Sequence, residues 1–182
     1  MIKRWDIISK IILENRLSTG AEVGVQYGKN IENILSQCPD FKILAIDCWD
    51  PTFKYQTWTK ASQLLFEKLF DKVVAKFPGR IEKIKGYSTA VVQKIPYDSL
   101  DLVFLDASHD YFSTAAGIRR WLPKVRPGGF IGGHDYGHPK FPGVKKAVDE
   151  CFINVSIYPD YVWFTKKRGH PLYPGDRIDV AE

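Results

Sequence analysis

The sequence has few of the residues that would identify a disulfide-rich or zinc-binding protein. Its 182 residues include only three cysteines, Cys38, Cys48 and Cys151. This odd, widely spaced set has no C-x-x-C pair, so it predicts reduced thiols in a cytoplasm rather than disulfides or a zinc site. There is also no uninterrupted apolar run of the roughly 18 residues that a membrane-spanning helix needs. Near the N-terminus, Lys10 and Glu14 break up any signal-peptide core.

The chain is basic, but its positive charge is dispersed. Its 26 lysines and arginines outnumber its 21 acidic residues, which gives a formal net charge of +5. Much of the excess lies on predicted helix faces or in Lys166-Lys167-Arg168, as is typical of solvated surfaces. Nucleic acid is therefore not the expected partner, whereas an anionic small-molecule substrate is compatible with the charge. The oligomeric state stays open, and a homo-oligomer is compatible with the sequence.

The length and the order of apolar segments predict one α/β domain with a mainly parallel sheet. Short apolar runs alternate with longer segments of helical periodicity, as they do in doubly wound folds. The β-rich runs 152–158 and 161–166 predict a terminal hairpin. We expect the domain to span residues 1–168 and residues 169–182 to form a tail. The predicted strands are 20–25, 43–47, 80–86, 101–106 and 129–134, and the predicted helices are 5–17, 29–37, 59–77, 112–122 and 142–151.

The most informative segment is Ala21–Asn30, in which an apolar strand ends in Glu22-x-Gly24-x-x-x-Gly28 and runs into a helix. Glycines let a backbone approach a ligand closely, and the start of a helix presents free N–H groups. Asp47 follows at the tip of the next apolar run, about 20 residues on, which is the spacing of a carboxylate that binds ribose hydroxyls. These features predict a nucleoside-binding βαβ unit, the alternative being a strand–helix turn without a ligand.

Polar or glycine residues follow each predicted parallel strand at its carboxyl end. These ends meet at one edge of the sheet, where open α/β folds bind their ligands. Ionised groups are costly to crowd without a ligand or a cation, so the carboxylates and histidines at this edge favour a functional site. The segments at this edge are Glu22-Val23-Gly24, Asp47-Cys48-Trp49, Gly86-Tyr87-Ser88, Asp106-Ala107-Ser108-His109 and His134-Asp135-Tyr136.

The segment Glu22–Gly28 and the two His/Asp motifs resemble those of class I S-adenosylmethionine-dependent methyltransferases, in the small-molecule O-methyltransferase branch that includes macrocin-type proteins. The resemblance covers about residues 18–150. It implies a Rossmann-like, doubly wound sheet of seven strands with the last one antiparallel, and S-adenosylmethionine as cofactor. It also implies cofactor contacts from Glu22, Gly24, Gly28, Asp47, Cys48, Trp49, Gly86, Ser88 and Asp106, with the adenine near Gly86 and Ser88. For Trp49, a place beside the adenine and a place in the core of the loop both remain open.

The two His/Asp motifs predict the chemistry of the site. A hydroxyl nucleophile must lose its proton to attack a methyl group, and a histidine or a metal ion can assist. We expect His109 to be the base, with His134 as the second candidate and Asp106 as a further catalytic residue. A divalent metal bound by Asp106, His134 and Asp135 is the alternative. Metal-dependent members of the superfamily often carry an acidic pair where this chain has His134-Asp135, and a histidine favours Mn²⁺, Fe²⁺ or Zn²⁺ over Mg²⁺.

These features together predict an enzyme that methylates a hydroxyl of a small molecule. The segment 106–109 differs from the Asn/Asp-Pro-Pro-aromatic motif that amino-group methyltransferases of nucleic acids usually carry. An NAD-linked oxidoreductase is one alternative, because a glycine-rich turn and a distal aspartate also serve that cofactor. A non-catalytic protein that binds a nucleoside cofactor is another. The aromatic segment 49–58 predicts a lid over the pocket or a packed loop.

Overall fold

The computed structural model of the chain describes residues 2–50, 52 and 59–168. The predicted tail and most of the predicted lid lie outside these residues. Each predicted helix and strand is present, and the helices 29–37 and 142–151 are confirmed at both ends. The elements are α1 (Arg4–Glu14), β1 (Thr19–Val23), α2 (Lys29–Gln37), β2 (Lys42–Asp47), α3 (Lys60–Lys76), β3 (Ile81–Lys85), α4 (Ser88–Val91), β4 (Leu100–Leu105), α5 (Tyr111–Trp121), β5 (Val125–Gly133), α6 (Pro142–Cys151), β6 (Ser156–Tyr158) and β7 (Val162–Lys166), with 3₁₀ turns at Val92–Lys94 and Leu122–Lys124.

Two differences from the predicted elements have simple physical reasons. Helix α1 ends at Glu14 rather than at residue 17, because Arg16 has a left-handed φ of 52° that a right-handed helix cannot contain. Leu17 is buried, so its apolar character reflects core packing beyond the helix end. Helix α4 was not predicted, because its four residues are too few to produce a periodic pattern.

The seven strands form one sheet in the order β3-β2-β1-β4-β5-β7-β6. The first five strands are parallel, and β7 pairs antiparallel with both β5 and β6. This confirms the predicted doubly wound, mainly parallel sheet with a C-terminal antiparallel hairpin. The order of strands reverses between β1 and β4, so the crevice of the fold lies outside the carboxyl ends of these two neighbours.

Helices cover both faces of the sheet and produce two hydrophobic cores. Helices α1 to α3 pack on one face and α4 to α6 on the other. Strand β4 serves both cores, since Leu102 and Phe104 face the first and Val103 faces the second. This burial on both faces explains why its sequence is almost continuously apolar. Among the described residues, no helix is both long enough and apolar enough to cross a membrane.

An aspartate at the amino end of β4 fixes the edge of the sheet opposite the crevice. Asp101 accepts hydrogen bonds from the backbone N–H groups of Ser18 at 2.7 Å and Thr19 at 2.9 Å, and it forms an ion pair with Arg126. Burial alone would raise the pKa of Asp101, but these hydrogen bonds outweigh it and lower the pKa to about 2. Asp101 therefore joins the starts of β1, β4 and β5.

The turn between β6 and β7 lies beside the crevice and binds two other elements. Asp160 and Tyr161 both have left-handed φ angles, of 58° and 56°, which make the turn tight. The carboxylate of Asp160 accepts a hydrogen bond of 3.0 Å from the backbone N–H of Arg4, at the start of α1. The carbonyl of Tyr161 accepts one of 3.0 Å from the N–H of Tyr136. The C-terminal hairpin thus positions both the N-terminal helix and the loop after β5.

Candidate active site

A cavity of about 650 Å³ lies at the carboxyl ends of the central strands. This volume is within the range of small-molecule sites. Most of the predicted site residues are in its wall, and two of them are not. The wall includes Glu22, Gly24, Asp47, Cys48, Gly86, Ser88, Asp106, His109, His134 and Asp135, whereas Gly28 and Trp49 lie behind it.

The two glycines of the first motif are required by packing. Gly24 has a φ of 93°, and a Cβ there would lie 2.3 Å from the backbone oxygen of Asp106. Glycine therefore lets the ends of β1 and β4 approach each other at the floor of the cavity. Gly28 has a φ of 83°, and its Cβ would lie 2.4 Å from the ring of Phe70 on α3. Gly28 thus faces the helix rather than the cavity.

Asp47 organises the loop that follows β1. Its Oδ2 accepts hydrogen bonds from the backbone N–H groups of Val25 and Gln26, both at 2.8 Å. Its Oδ1 accepts one of 3.0 Å from the N–H of Trp49. These bonds hold the glycine loop against the tip of β2. A carboxylate has about four acceptor positions, so Asp47 can still accept hydrogen bonds from a ligand hydroxyl.

Trp49 is part of the protein core and does not contact the cavity. Its side chain is fully buried and stacks on Phe70 with 5.2 Å between ring centroids. The indole N–H donates a 2.7 Å hydrogen bond to the carbonyl of Gln26. Of the two places left open for Trp49, the structure has the loop core. Trp49 is therefore no part of a lid, and residues 53–58 lie outside the described residues.

Glu22 is a buried carboxyl group at the floor of the cavity. It is only 2% exposed and accepts a 3.0 Å hydrogen bond from the side-chain amide of Asn30 on α2. Burial, together with the negative charge of Asp106, raises the pKa of Glu22 to about 8. A positively charged group in the cavity would favour the ionised form of this carboxyl.

Asp106 follows β4 directly and forms an ion pair with an arginine that the sequence interpretation missed. The Nη1 atom of Arg4, on α1, donates to Oδ2 of Asp106. Burial raises the pKa of Asp106 although the nearby Arg4 lowers it, and the charge of Asp135 adds to the increase. Arg4 lies 102 residues away along the chain and belongs to no motif, so no sequence signal connects it with this site.

Asp135 joins the two predicted histidines. Its Oδ2 lies 2.8 Å from Nδ1 of His109, and its Oδ1 lies 3.1 Å from Nδ1 of His134. Burial disfavours the charged forms of His109 and Asp135, but the hydrogen bond between them outweighs this effect. The hydrogen bond raises the pKa of His109 and holds the pKa of Asp135 well below its usual range. The Nε2 atom of His134 is buried and has no hydrogen-bond partner among the described residues.

The three predicted metal ligands lie close together, but the two carboxylates among them already have partners. One ligand atom each from Asp106, His134 and Asp135 lies within 4.8 Å of the others. Asp106 is paired with Arg4, and Asp135 is bonded to both histidines. A guanidinium group in contact with a ligand carboxylate repels a divalent cation. The donor set as it stands therefore does not fit a divalent metal ion.

Comparisons with known proteins agree with this fold. Residues 21–136 match the family model described as a methyltransferase domain. This range includes every predicted site residue and excludes α1. No curated protein sequence matches the chain.

Solved structures share the fold at low sequence identity. An O-methyltransferase from Bacillus cereus in complex with SAH has a TM-score of 0.64 and 14% identity, over 88% of this chain and 78% of that chain. The cofactor-bound protein Rv0187 from MTB has a TM-score of 0.66 and 13% identity, over 93% and 83%. CalS11, a TDP-rhamnose 3'-O-methyltransferase of calicheamicin biosynthesis, has a TM-score of 0.61 and 14% identity, over 90% and 80%. These similarities show the fold alone.

The family match and the geometry distinguish between the predicted functions. The matched range covers well over half of the chain. The strand order and the terminal antiparallel hairpin agree with the methyltransferase resemblance. Neither the NAD-linked oxidoreductase nor the non-catalytic binding protein is favoured by these findings. The chain therefore belongs to the methyltransferase-domain family, as a class I, S-adenosylmethionine-dependent methyltransferase.

Proposed function

We propose that the protein transfers a methyl group from S-adenosylmethionine to a hydroxyl oxygen of a small molecule, with His109 as the general base. The observation that carries this proposal is the 2.8 Å contact between Nδ1 of His109 and Asp135 on the cavity wall. A histidine whose Nδ1 donates to a carboxylate has its basic nitrogen at Nε2 when it is neutral. It has the geometry of a base that a second residue orients.

The residues around the cavity suit the cofactor. Asp47, at the tip of β2, would bind the ribose hydroxyls, and Gly86 and Ser88 would lie by the adenine. Ionised Glu22 would balance the positive charge of the cofactor. Without a positive charge nearby, burial favours the neutral carboxyl group of Glu22. When bound, the cofactor supplies an electrophilic methyl group. Gly28 and Trp49 would support the site only from behind its wall.

Two neighbouring residues support the base. Asp135 fixes the ring of His109, so it acts as a positioning residue. The Nδ1 of His134 lies 3.1 Å from the same carboxylate, so His134 helps to hold Asp135 in place, and its buried Nε2 has no partner among the described residues. His109 would then take the proton of the acceptor hydroxyl while the oxygen attacks the methyl carbon. Removing a general base typically lowers the rate by about 10²–10⁴-fold.

The proposed acceptor is a small molecule, and the cavity volume of about 650 Å³ supports it. A sugar, a phenol or another hydroxyl compound is compatible with the wall. The TDP-rhamnose enzyme that shares the fold makes a nucleotide sugar one acceptor class to include in a test.

The three cysteines are free in the structure, which is in keeping with the proposed cytoplasmic location.

The test combines cofactor binding with methyl transfer to a panel of sugars, nucleotide sugars and phenols. We expect S-adenosylhomocysteine, and not NAD, to raise the melting temperature of the wild type. With an acceptor from the panel, His109→Gln should lower kcat by about 10²–10⁴-fold and leave the Kd for S-adenosylhomocysteine within a factor of about two.

His138→Gln is a matched control for this experiment. His138 also contacts the ring of Phe141, at 5.0 Å compared with 4.5 Å for His109, but it does not line the cavity. We expect its kcat to equal that of the wild type. Methyl transfer to nitrogen instead of oxygen, or full activity of His109→Gln, would contradict the proposal.

A further inference from the structure

Arg4 lies in the centre of the acidic groups of the site, although it belongs to the N-terminal helix. Its guanidinium contacts Asp106, and the carboxylates of Glu22, Asp160 and Asp135 also act on its charge. Its side chain is 29% exposed, so water screens these interactions only in part. The match to the family model begins at residue 21, so it does not include Arg4.

The position of Arg4 is fixed by the fold. The backbone N–H of Arg4 donates a hydrogen bond to Asp160 in the hairpin turn, at 3.0 Å. Farther along α1, Ile8 and Ile12 are at most 2% exposed in the core against the sheet. Helix α1 is therefore held at both its start and its middle. The fold thus fixes Arg4 as part of the site.

The two carboxylates in this part of the site already have partners without an added ion. Asp106 pairs with the guanidinium of Arg4, and Asp135 lies 2.8 Å from Nδ1 of His109. A divalent ion at Asp106, His134 and Asp135 would have to lie beside the guanidinium and compete with it for Asp106. The repulsion between the guanidinium and a neighbouring divalent ion is strong in a partly buried site.

We propose that Arg4 is the resident cation of this active site and takes the place of a divalent metal at Asp106. This inference rests on the proposed methyl transfer to oxygen and adds that the reaction is independent of metal. Arg4 is a positioning residue: it holds the carboxylate of Asp106 at the end of β4 and keeps its negative charge from destabilising the neighbouring Asp135 and Glu22. Removing Arg4 leaves three carboxylates around one space, and such a space selects a cation.

The test measures Mn²⁺ binding by electron paramagnetic resonance and by calorimetry, with neither cofactor nor acceptor present. We expect Arg4→Met to bind one Mn²⁺ at least tenfold more tightly than the wild type. The double variant Arg4→Met/Asp135→Asn should lose this gain, which locates the ion. Arg4→Lys keeps a positive charge and should not gain Mn²⁺ affinity. Circular dichroism of each variant checks that it is folded.

Lys10→Met is the matched control for net charge. Lys10 is an exposed residue of the same helix, 3.8 Å from Glu14 and away from the cavity, so its loss should not change Mn²⁺ affinity. Tight Mn²⁺ binding by the wild type that depends on Asp106, or methyl transfer that a chelator abolishes, would overturn the inference. Failure of the wild type to bind S-adenosylhomocysteine would instead contradict the proposed function, whereas the Mn²⁺ affinities would still decide the role of Arg4.

Discussion

The two ends of β4 each carry an aspartate paired with an arginine, and the two sites differ in almost every other respect. Asp101, at the amino end, accepts hydrogen bonds from two backbone N–H groups and pairs with Arg126, and its pKa falls to about 2. Asp106, at the carboxyl end, pairs with Arg4 but lies among other carboxylates, and its pKa is raised. The ionised form of aspartate is thus stabilised at one edge of the sheet and disfavoured at the other.

This difference supports the proposed role of Asp106 as a functional carboxylate and that of Asp101 as a structural one. At Asp101, the fold supplies more donors than the charge needs, and the resulting hydrogen bonds join three strands. At Asp106, burial and the neighbouring charge of Asp135 make ionisation harder, and Arg4 is the strongest of the charges that oppose them. A protein retains such a crowded group when a ligand or a reaction uses it.

The largest expected effects separate the two aspartates directly. Asp106→Asn should lower kcat about 10–10²-fold, as the loss of a charged hydrogen bond does, with little change in the free energy of unfolding. Asp101→Asn should lower the free energy of unfolding by about 2 kcal/mol and leave kcat unchanged. Kinetics and urea denaturation measure the two effects. Equal loss of stability in both variants would remove the distinction between the two ends.

The pH dependence of stability should have opposite signs at the two edges. The pKa of Glu22 is raised to about 8, so its contribution is present below its unfolded value of 4.5 and is lost as the pH rises through 8. The pKa of Asp101 is lowered, so its contribution is present above 3.8 and is lost as the pH falls toward 2. A tenfold difference in proton affinity between the folded and the unfolded chain corresponds to about 1.4 kcal/mol of stability.

Two neutral variants check these signs by urea denaturation across the pH range. Glu22→Gln should reduce the loss of stability between about pH 5 and pH 8, because it removes the carboxyl group that must ionise in a buried position. Asp101→Asn should reduce the loss between about pH 4 and pH 2. An unchanged alkaline slope in Glu22→Gln would mean that Glu22 is ionised at neutral pH without cost.

The smallest expected effect concerns the pH profile of the reaction. A base must be deprotonated, so kcat should fall as the pH drops through the pKa of His109, which lies above the ordinary value of 6.5. Asp135→Asn removes the carboxylate that raises this pKa and should move the midpoint of the profile to lower pH. A midpoint that does not move in Asp135→Asn would argue against His109 as the base.

Local sequence patterns were sufficient to predict the sheet and most of the residues that meet at its carboxyl edge. The apolar run Leu100–Leu105 indicated a central strand. The predicted strand 129–134 is also present, but β5 begins earlier, at Val125, and continues through the predicted turn at Pro127-Gly128 with an irregular pairing to β4. Parallel strands bring their carboxyl ends together in any such fold, so Glu22 and Asp135 could be placed at one edge from the sequence alone.

Other features depend on contacts that no local pattern encodes. Arg4 meets Asp106 because the hairpin turn at Asp160 and the core packing of Ile8 and Ile12 fix the position of α1. Trp49 has the composition of a ligand contact, but its indole stacks on a phenylalanine and donates to a carbonyl oxygen in the core. Gly28 fits a cofactor motif, yet its missing side chain makes room for α3. Packing across the fold thus places Arg4 in the site, decides between the two places left open for Trp49, and puts Gly28 behind the cavity wall.

The hydrogen bond between Arg4 and Asp160 has a consequence for how the protein folds. It joins residues 156 positions apart, and the contact of Arg4 with Asp106 spans 102. Contacts of such long sequence separation form late, because the chain entropy of closing long loops must be overcome first. During synthesis, the first helix is made long before the hairpin that holds it. The contact of Arg4 with Asp160 can therefore form only after the hairpin has been made, and we expect the proposed catalytic edge to be completed late in folding.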